Sequence, residues 1–215
     1  MEISQSIEEI LEDLWVHTQE KNEESVELDS FNEEDRFLIE QMVMRDLIDS
    51  SNGKIFLTKK GLEHGSDIIR RHRLAELLLT EVLDVTERDL VHETACGLEH
   101  ILRKGIDDKI CTLLGHPHHC PHGKPIPPGQ CCKKKDEQAG QIVPLSKIKP
   151  GIIGKIAYLH TNNSKELKKL MIMGLFPGTI IQLMQKFPSY VFRIGYTQFA
   201  VDKKIADEIY VKIPL

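Results

Sequence analysis

Leu90-Val91-His92-Glu93-Thr94-Ala95-Cys96-Gly97-Leu98-Glu99-His100 is the stretch on which the reading of this chain turns. Counted from His92, the residues Cys96, Glu99 and His100 fall at offsets of 4, 7 and 8, which on an α-helix share one stripe. Val91, Ala95, Leu98 and Leu102 form a separate apolar stripe, so the helix already has a face to pack with. A second row of imidazole, thiol, carboxylate and imidazole is a donor set for a first-row transition metal. The bland alternative is a solvated polar face that carries a cysteine by chance.

Working outward, the preceding helical stretch adds His72 and Glu76, an i, i+4 pair that taken alone reads equally as an exposed ion-paired face. The first helical stretch adds Glu9 and Glu12 at i, i+3, which alone would be ordinary first-turn carboxylates. Around these pieces the chain organises into three parts: residues 1–65, 66–140 and 141–215.

In the first part, Ile7, Ile10, Leu11 and Leu14 recur at helical spacing, and a second helix is predicted over 33–48 through Phe37, Leu38, Gln41, Met42 and Met44. Asn52-Gly53, flanked by Leu47-Ile48 and Ile55-Phe56-Leu57, is a strong hairpin signal. Helix followed by hairpin is the order of a small winged-helix unit. Helices are then expected over 66–85 and from Thr86, a capped start, to about Lys104, with Gly105 as the stop. Residues 115–140 shift to Pro, Gly, His, Cys and Lys and read as a loop. Beyond them, short apolar segments at 152–159, 179–186, 190–194, 198–201 and 209–213 suggest a small β-barrel, interrupted by one helix capped by Ser164 and ended by Gly174. The expected fold class is mainly α with a small β-barrel.

Composition bounds the function. Apolar residues make up 40% and charged residues 28%, and no apolar run approaches the roughly 20 residues of a membrane span. The first residues carry neither a basic nor an apolar leader region, so the expected compartment is the cytoplasm. The net charge of -5 conceals an asymmetry: residues 1–65 hold 17 Asp or Glu against 6 Lys or Arg, whereas the remainder holds 16 against 22. An acidic head opposes phosphate and suits cations. Nucleophile elbow, phosphate loop and zinc-protease helix motifs are all missing, so an enzyme is not expected.

Arg71-His72-Arg73-Leu74-Ala75-Glu76 followed by residues 90–100 resembles the metal-binding core of the diphtheria-toxin-repressor family of iron- and manganese-dependent regulators. The resemblance implies one site with ligands like Cys96, Glu99 and His100 together with Glu9, and, in the manganese-sensing branch, Glu12. It implies a second site with ligands like His72, Glu76 and His92. It further implies Fe(II) or Mn(II) as the ligand, a homodimer through the central helices, and DNA as the partner. Residues 141–215, especially Leu170 to Thr179, resemble a FeoA-type domain, a small SH3-like barrel.

Two departures accompany the resemblance. Between the first helix and the recognition helix the segment is about six residues short against the family pattern, and the usual supporting helix is hard to find in Ser25 to Phe31, so the winged helix reads as eroded. Glu33, Glu34 and Asp35 stand where DNA-contacting residues are expected; Arg36, Arg45, Lys54, Lys59 and Lys60 are the cations left for phosphate, the last two assigned to the end of the wing. A sensor or adaptor without DNA binding is therefore the competing class. The second departure is Cys111, Cys120, Cys131 and Cys132, four thiols within 22 residues, matching a Zn site or an iron-sulfur cluster. The adjacent pair Cys131-Cys132 departs from the usual two-residue zinc spacing and tips the reading toward iron-sulfur, with His116, His118, His119 and His122 as alternative nitrogen ligands.

Overall fold

The computed structural model of the protein describes residues 4–137, 142–161 and 163–213. The chain divides into two compact units, one of residues 1–72 with 96–102, the other of residues 73–95 with 103–215.

In the first unit, α1 (Gln5–Trp15) buries Ile7, Ile10, Leu11 and Leu14. The core that receives them holds Ile39, Met42, Leu47, Ile48 and Ile55, each buried side chain contributing roughly 1.5–3 kcal/mol of hydrophobic stabilisation. β1 (Val26–Glu27) and a 3₁₀ turn, Leu28–Ser30, occupy the segment in which no supporting helix could be read. Asn32 then caps α2 (Glu33–Met44), its side chain accepting from the Asp35 amide at 2.9 Å. β2 (Ile48–Ser51) and β3 (Lys54–Leu57) form the expected hairpin, with Ser51 opposite Lys54. Asn52 and Gly53 hold φ of 51° and 72°, the left-handed pair that a two-residue hairpin loop requires. β1 adds to the other edge of β3, giving an antiparallel sheet ordered β1-β3-β2.

The hairpin runs straight into α3 (Lys59–Leu77), seven residues before the expected start at Ser66. Thr58 Oγ1 accepts from the Gly61 amide at 3.0 Å and so caps the helix. Lys59 and Lys60 consequently lie in its first turn rather than on the wing. Two lysines at a helix N-terminus oppose the helix dipole, which is why the sequence pattern hides this start. Further along, Gly65 lets α3 approach α1: a Cβ there would stand 2.9 Å from Trp15 Cβ and Cδ1.

α4 (Arg88–Ile101) gives its first half to the second unit and its second half to the first. In the second unit, α5 (Ile106–Leu113) begins after Gly105, whose φ is 92°. The stretch 115–140 is not all loop. It holds an eight-residue helix, α6 (Gln130–Glu137), whose Gln-Cys-Cys-Lys-Lys-Lys start was masked by the Pro, Gly and His residues averaged with it. Expectations for residues 138–141 lie outside the described residues.

The rest of this unit is a six-stranded antiparallel sheet of β4 (Ile142–Pro144), β5 (Ile153–Leu159), β6 (Ile180–Gln185), β7 (Tyr190–Ile194), β8 (Thr197–Val201) and β9 (Ile209–Lys212). Its order is β4-β9-β5-β6-β7-β8, so among the described residues the sheet is open, with β4 and β8 at its edges. α7 (Ser164–Ile172) is capped by Asn163, not Ser164: the Asn163 side chain accepts from the amides of Lys165 and Glu166. It buries Leu167 and Leu170, and Gly174, at φ 84°, follows its end as expected. A short α8 (Lys203–Glu208) is capped by Asp202.

Candidate metal centre

The first unit gathers α1, the middle of α3 and the second half of α4 around one group of charged side chains. Because Ile7, Ile10, Leu11 and Leu14 fix the inward face of α1, the flanking Glu8 and Glu12 are half-buried at one edge of that face. Glu9 falls on the other side, exposed, where it accepts from Gln5 Nε2 at 3.1 Å.

Glu99 is the centre of the group, with 0% of its surface exposed. One carboxylate oxygen, Oε2, meets His72 Nδ1 at 2.6 Å. Arg71 anchors the same turn of α4, its Nε donating to the Glu99 backbone oxygen at 2.6 Å and its Nη2 to Glu8 Oε1 at 2.9 Å. The other oxygen of Glu8 takes His100 Nδ1 at 2.6 Å. In the neutral imidazole that bond puts the proton on Nδ1 and leaves Nε2 as a lone pair. Nε2 faces Glu99 Oε1 at 3.2 Å, and both atoms are buried without a hydrogen-bond partner. Two lone pairs that confront each other away from water need a proton or a cation between them.

Cys96 completes the set. Its thiol, His72 and Glu99 each offer a ligand atom within 4.8 Å of the others. Burial pushes the Cys96 thiol up from its ordinary pKa, and the charges of Glu99, Glu12 and Glu9 add to this. Glu12 is pushed up to about 7, first by burial, then by the Glu99 charge, with His72 opposing. A carboxylate raised by burial and by its neighbour's charge signals an excess of negative charge, which a divalent cation would neutralise. Thiolate, imidazole and carboxylate together suit Fe, Mn or Zn in the divalent state.

The structure brings Cys96, Glu99, His100 and Glu12 of the expected first site together, joins to them His72, which the resemblance had assigned to the second site, and adds Glu8 and Arg71, which were not among the sequence candidates. The signal was available, since Glu8 and Glu12 are one turn apart and Glu9 is not on their side of the buried stripe.

In the second unit Glu76 is buried and His92 exposed. The thiols there divide. Cys111, Cys131 and Cys132 gather with His116, their ligand atoms all within 4.8 Å of one another, while Cys120 groups with Glu76 and His122, where His122 Nδ1 lies 3.2 Å from Glu76 Oε1.

The cations assigned to DNA are partly engaged within the first unit. Arg36 is paired with Asp29 at 3.2 Å and Lys54 with Glu27 at 3.4 Å. Lys60 Nζ donates to the Arg45 backbone oxygen, and Lys59 is exposed. No helix among the described residues is long and apolar enough to cross a membrane.

The class of protein follows from comparison with known families. Residues 58–128 match the family model of the iron dependent repressor metal binding and dimerisation domain, and residues 143–213 match the FeoA domain. The central part of the chain thus matches the diphtheria-toxin-repressor family, and its C-terminal part is a FeoA domain. It is 35% identical over 78 residues to the iron-dependent repressor IdeR of Mycobacterium leprae, covering 36% of this chain and 34% of that protein. It is 32% identical, also over 78 residues, to the diphtheria toxin repressor of Corynebacterium glutamicum, again covering 36% of this chain and 34% of that protein. The match thus spans about a third of the length of these relatives. Among solved structures, a manganese-dependent transcriptional repressor in complex with manganese superposes with a TM-score of 0.51 at 23% identity, covering 97% of this chain and 100% of that one, which establishes a shared fold.

Proposed function

We propose that the protein is a metal-responsive regulator in which Fe(II) or Mn(II) ties α1 to α3 and α4. One observation carries the reading: Glu99 Oε1 and His100 Nε2 face each other at 3.2 Å, buried and without hydrogen-bond partners, beside Cys96 and His72. In this reading Cys96, Glu99 and His100 hold the ion with Glu12 or Glu9 from α1, and His72, Glu76 and His92 form the second site of the family. A bound divalent ion supplies the positive charge that this anion-rich group lacks. The protein's own residues do the rest: Arg71 fixes the Glu99 turn, and Glu8 sets the His100 tautomer.

Coupling to function is a population shift. α1 is gathered with α4 most favourably when the Glu12 and Glu99 charges are compensated, so loading biases the position of the α2 and hairpin head relative to α1's partners. The reading takes residues 1–65 as an eroded winged helix, 66–140 as the metal-binding and dimerisation domain, and 141–215 as an SH3-like FeoA barrel. The protein acts as a cytoplasmic homodimer on two DNA half-sites about one turn apart, without catalysis.

The engaged cations favour a second reading. With Arg36 held by Asp29 and Lys54 by Glu27, an acidic head offers little to phosphate, and a sensor acting through a protein partner fits it better. Titration of Fe(II) or Mn(II) followed by fluorescence of Trp15, the sole tryptophan, tests the metal response; a flat titration abandons both readings. Gel retardation of genomic fragments at fixed salt, with and without metal, separates them, since a chain that shifts no fragment is an adaptor.

A further inference from the structure

The thiols of α5 and α6 form a site that the regulatory reading does not use. Cys111, buried on α5, stands 3.8 Å from Cys132 and 3.6 Å from His116 Nδ1. Cys132 is in turn 3.8 Å from Cys131 and 3.8 Å from His116 Nδ1. Around one tetrahedral zinc, bonds of about 2.3 Å to sulfur and about 2.0–2.1 Å to nitrogen separate two sulfurs by about 3.8 Å and sulfur from nitrogen by about 3.5 Å. The four contacts match four of the six edges of that tetrahedron, and the remaining two pairs lie within 4.8 Å. A multi-iron cluster spreads its thiolates over several metal atoms, whereas these four donors lie within 4.8 Å of one another and enclose a single ion.

The backbone is arranged to present these donors. His116 holds a left-handed φ of 60° while its amide donates to the Cys111 carbonyl at 2.8 Å. Such a conformation is unfavourable for a residue with a Cβ and persists where the surroundings require it. Gly115 before it permits close passage, since a Cβ would strike the Leu159 carbonyl oxygen. Tyr158 packs edge-on to the His116 ring, with centroids 5.0 Å apart. The adjacent pair Cys131-Cys132 serves because the α6 start is held at both residues: the Cys131 amide donates to Asp108 Oδ1 on α5, and the Cys132 amide to the Gly129 carbonyl.

From this geometry we infer that Cys111, His116, Cys131 and Cys132 form a structural zinc site that staples α5 to α6 and closes the intervening loop, separate from the regulatory metal. Its four protein ligands leave no open position for chemistry. Cys120, grouped instead with Glu76 and His122, is not part of it.

The full-length protein, purified anaerobically and dialysed against EDTA, tests this by metal analysis and zinc-edge X-ray absorption, beside Cys132→Ser, Cys120→Ser and Glu99→Gln. One zinc per chain is expected to survive in the wild type, Cys120→Ser and Glu99→Gln, with a shell of three sulfurs and one nitrogen. Cys132→Ser is expected to lose at least nine-tenths of it. Should Cys132→Ser fail to fold, the wild-type shell still decides. Absence of zinc from the wild type, iron in its place, a shell of four sulfurs, or equal loss in Cys120→Ser would each overturn the assignment. Zinc retained by a Glu99→Gln protein that no longer responds to Fe(II) or Mn(II) keeps this site distinct from the regulatory one.

Discussion

His100 turns Nε2 toward Glu99 Oε1 at 3.2 Å while its Nδ1 is committed to Glu8 at 2.6 Å. Neutral imidazole has one proton to give, and Glu8 takes it. In that tautomer two acceptors meet inside the protein, and a proton on Nε2 or a cation between them relieves the contact.

Glu99→Gln separates the metal role from the folding role. A glutamine amide can donate to His100 Nε2 and still accept from His72, so it satisfies the atom that is now unpartnered. The metal-free variant should be at least as stable as the wild type, while its affinity for Fe(II) or Mn(II) falls by at least about a hundredfold. Chelator-competition titrations and thermal melts check both halves. A variant that unfolds yet still binds metal normally would show that Glu99 is merely a core residue.

Glu8→Gln should weaken metal binding about 10–100-fold without removing a ligand, because Glu8 orients His100 and pairs with Arg71. Affinity unchanged within error would mean that His100 needs no support from α1.

Glu8 also shows how far the sequence reaches. The donor stripe of α4 was legible because Cys96, Glu99 and His100 keep helical spacing beside an apolar stripe, and helix periodicity is a property of neighbours in the chain. Which carboxylates of α1 face that stripe is set by the packing of Ile7 and Leu11, a tertiary fact, and the family pattern named Glu9 and Glu12 but not Glu8. The start of α3 was hidden for a different reason: Thr58 supplies the cap, but Lys59-Lys60-Gly61 is a poor first turn by propensity and charge. Likewise the spacing of the four cysteines suggested that they act together, whereas the turn at Gly115-His116 brings a histidine to Cys111 and leaves Cys120 with Glu76.

If the head binds DNA, releasing its engaged cations should strengthen binding. Glu27→Gln with Asp29→Asn frees Lys54 and Arg36 and removes two repelling charges. The expected result is severalfold tighter retardation at low salt and a steeper salt dependence, by up to about two counterions. A double variant that retards DNA no better than the parent assigns those lysine and arginine side chains no phosphate contact.

Gly65 tests the seat of α1 on α3. Valine there would drive its side chain into Trp15, and the misfit should cost about 1–3 kcal/mol in the first unit. Urea denaturation followed by Trp15 fluorescence measures this, and metal-induced fluorescence change should shrink with it because α1 is displaced from Glu99. Full stability in Gly65→Val would indicate that the two helices are free to separate there.

Glu12 makes the stability of the metal-free protein depend on pH. Its carboxyl is raised from 4.5 to about 7 by burial and by the Glu99 charge, so the folded chain holds a proton that the unfolded chain releases near its ordinary value. Stability from this group is therefore fully present below about pH 4.5 and is lost as pH rises through about 7, a change of no more than on the order of 3 kcal/mol. Metal reverses the trend, because the ion favours the ionised carboxyl and binds more tightly as pH rises. Melting temperatures with chelator should fall between about pH 5 and about pH 8, those with Mn(II) should not, and Glu12→Gln should flatten the chelator series. Parallel curves for the wild type and Glu12→Gln would place the origin of the pH dependence on other groups.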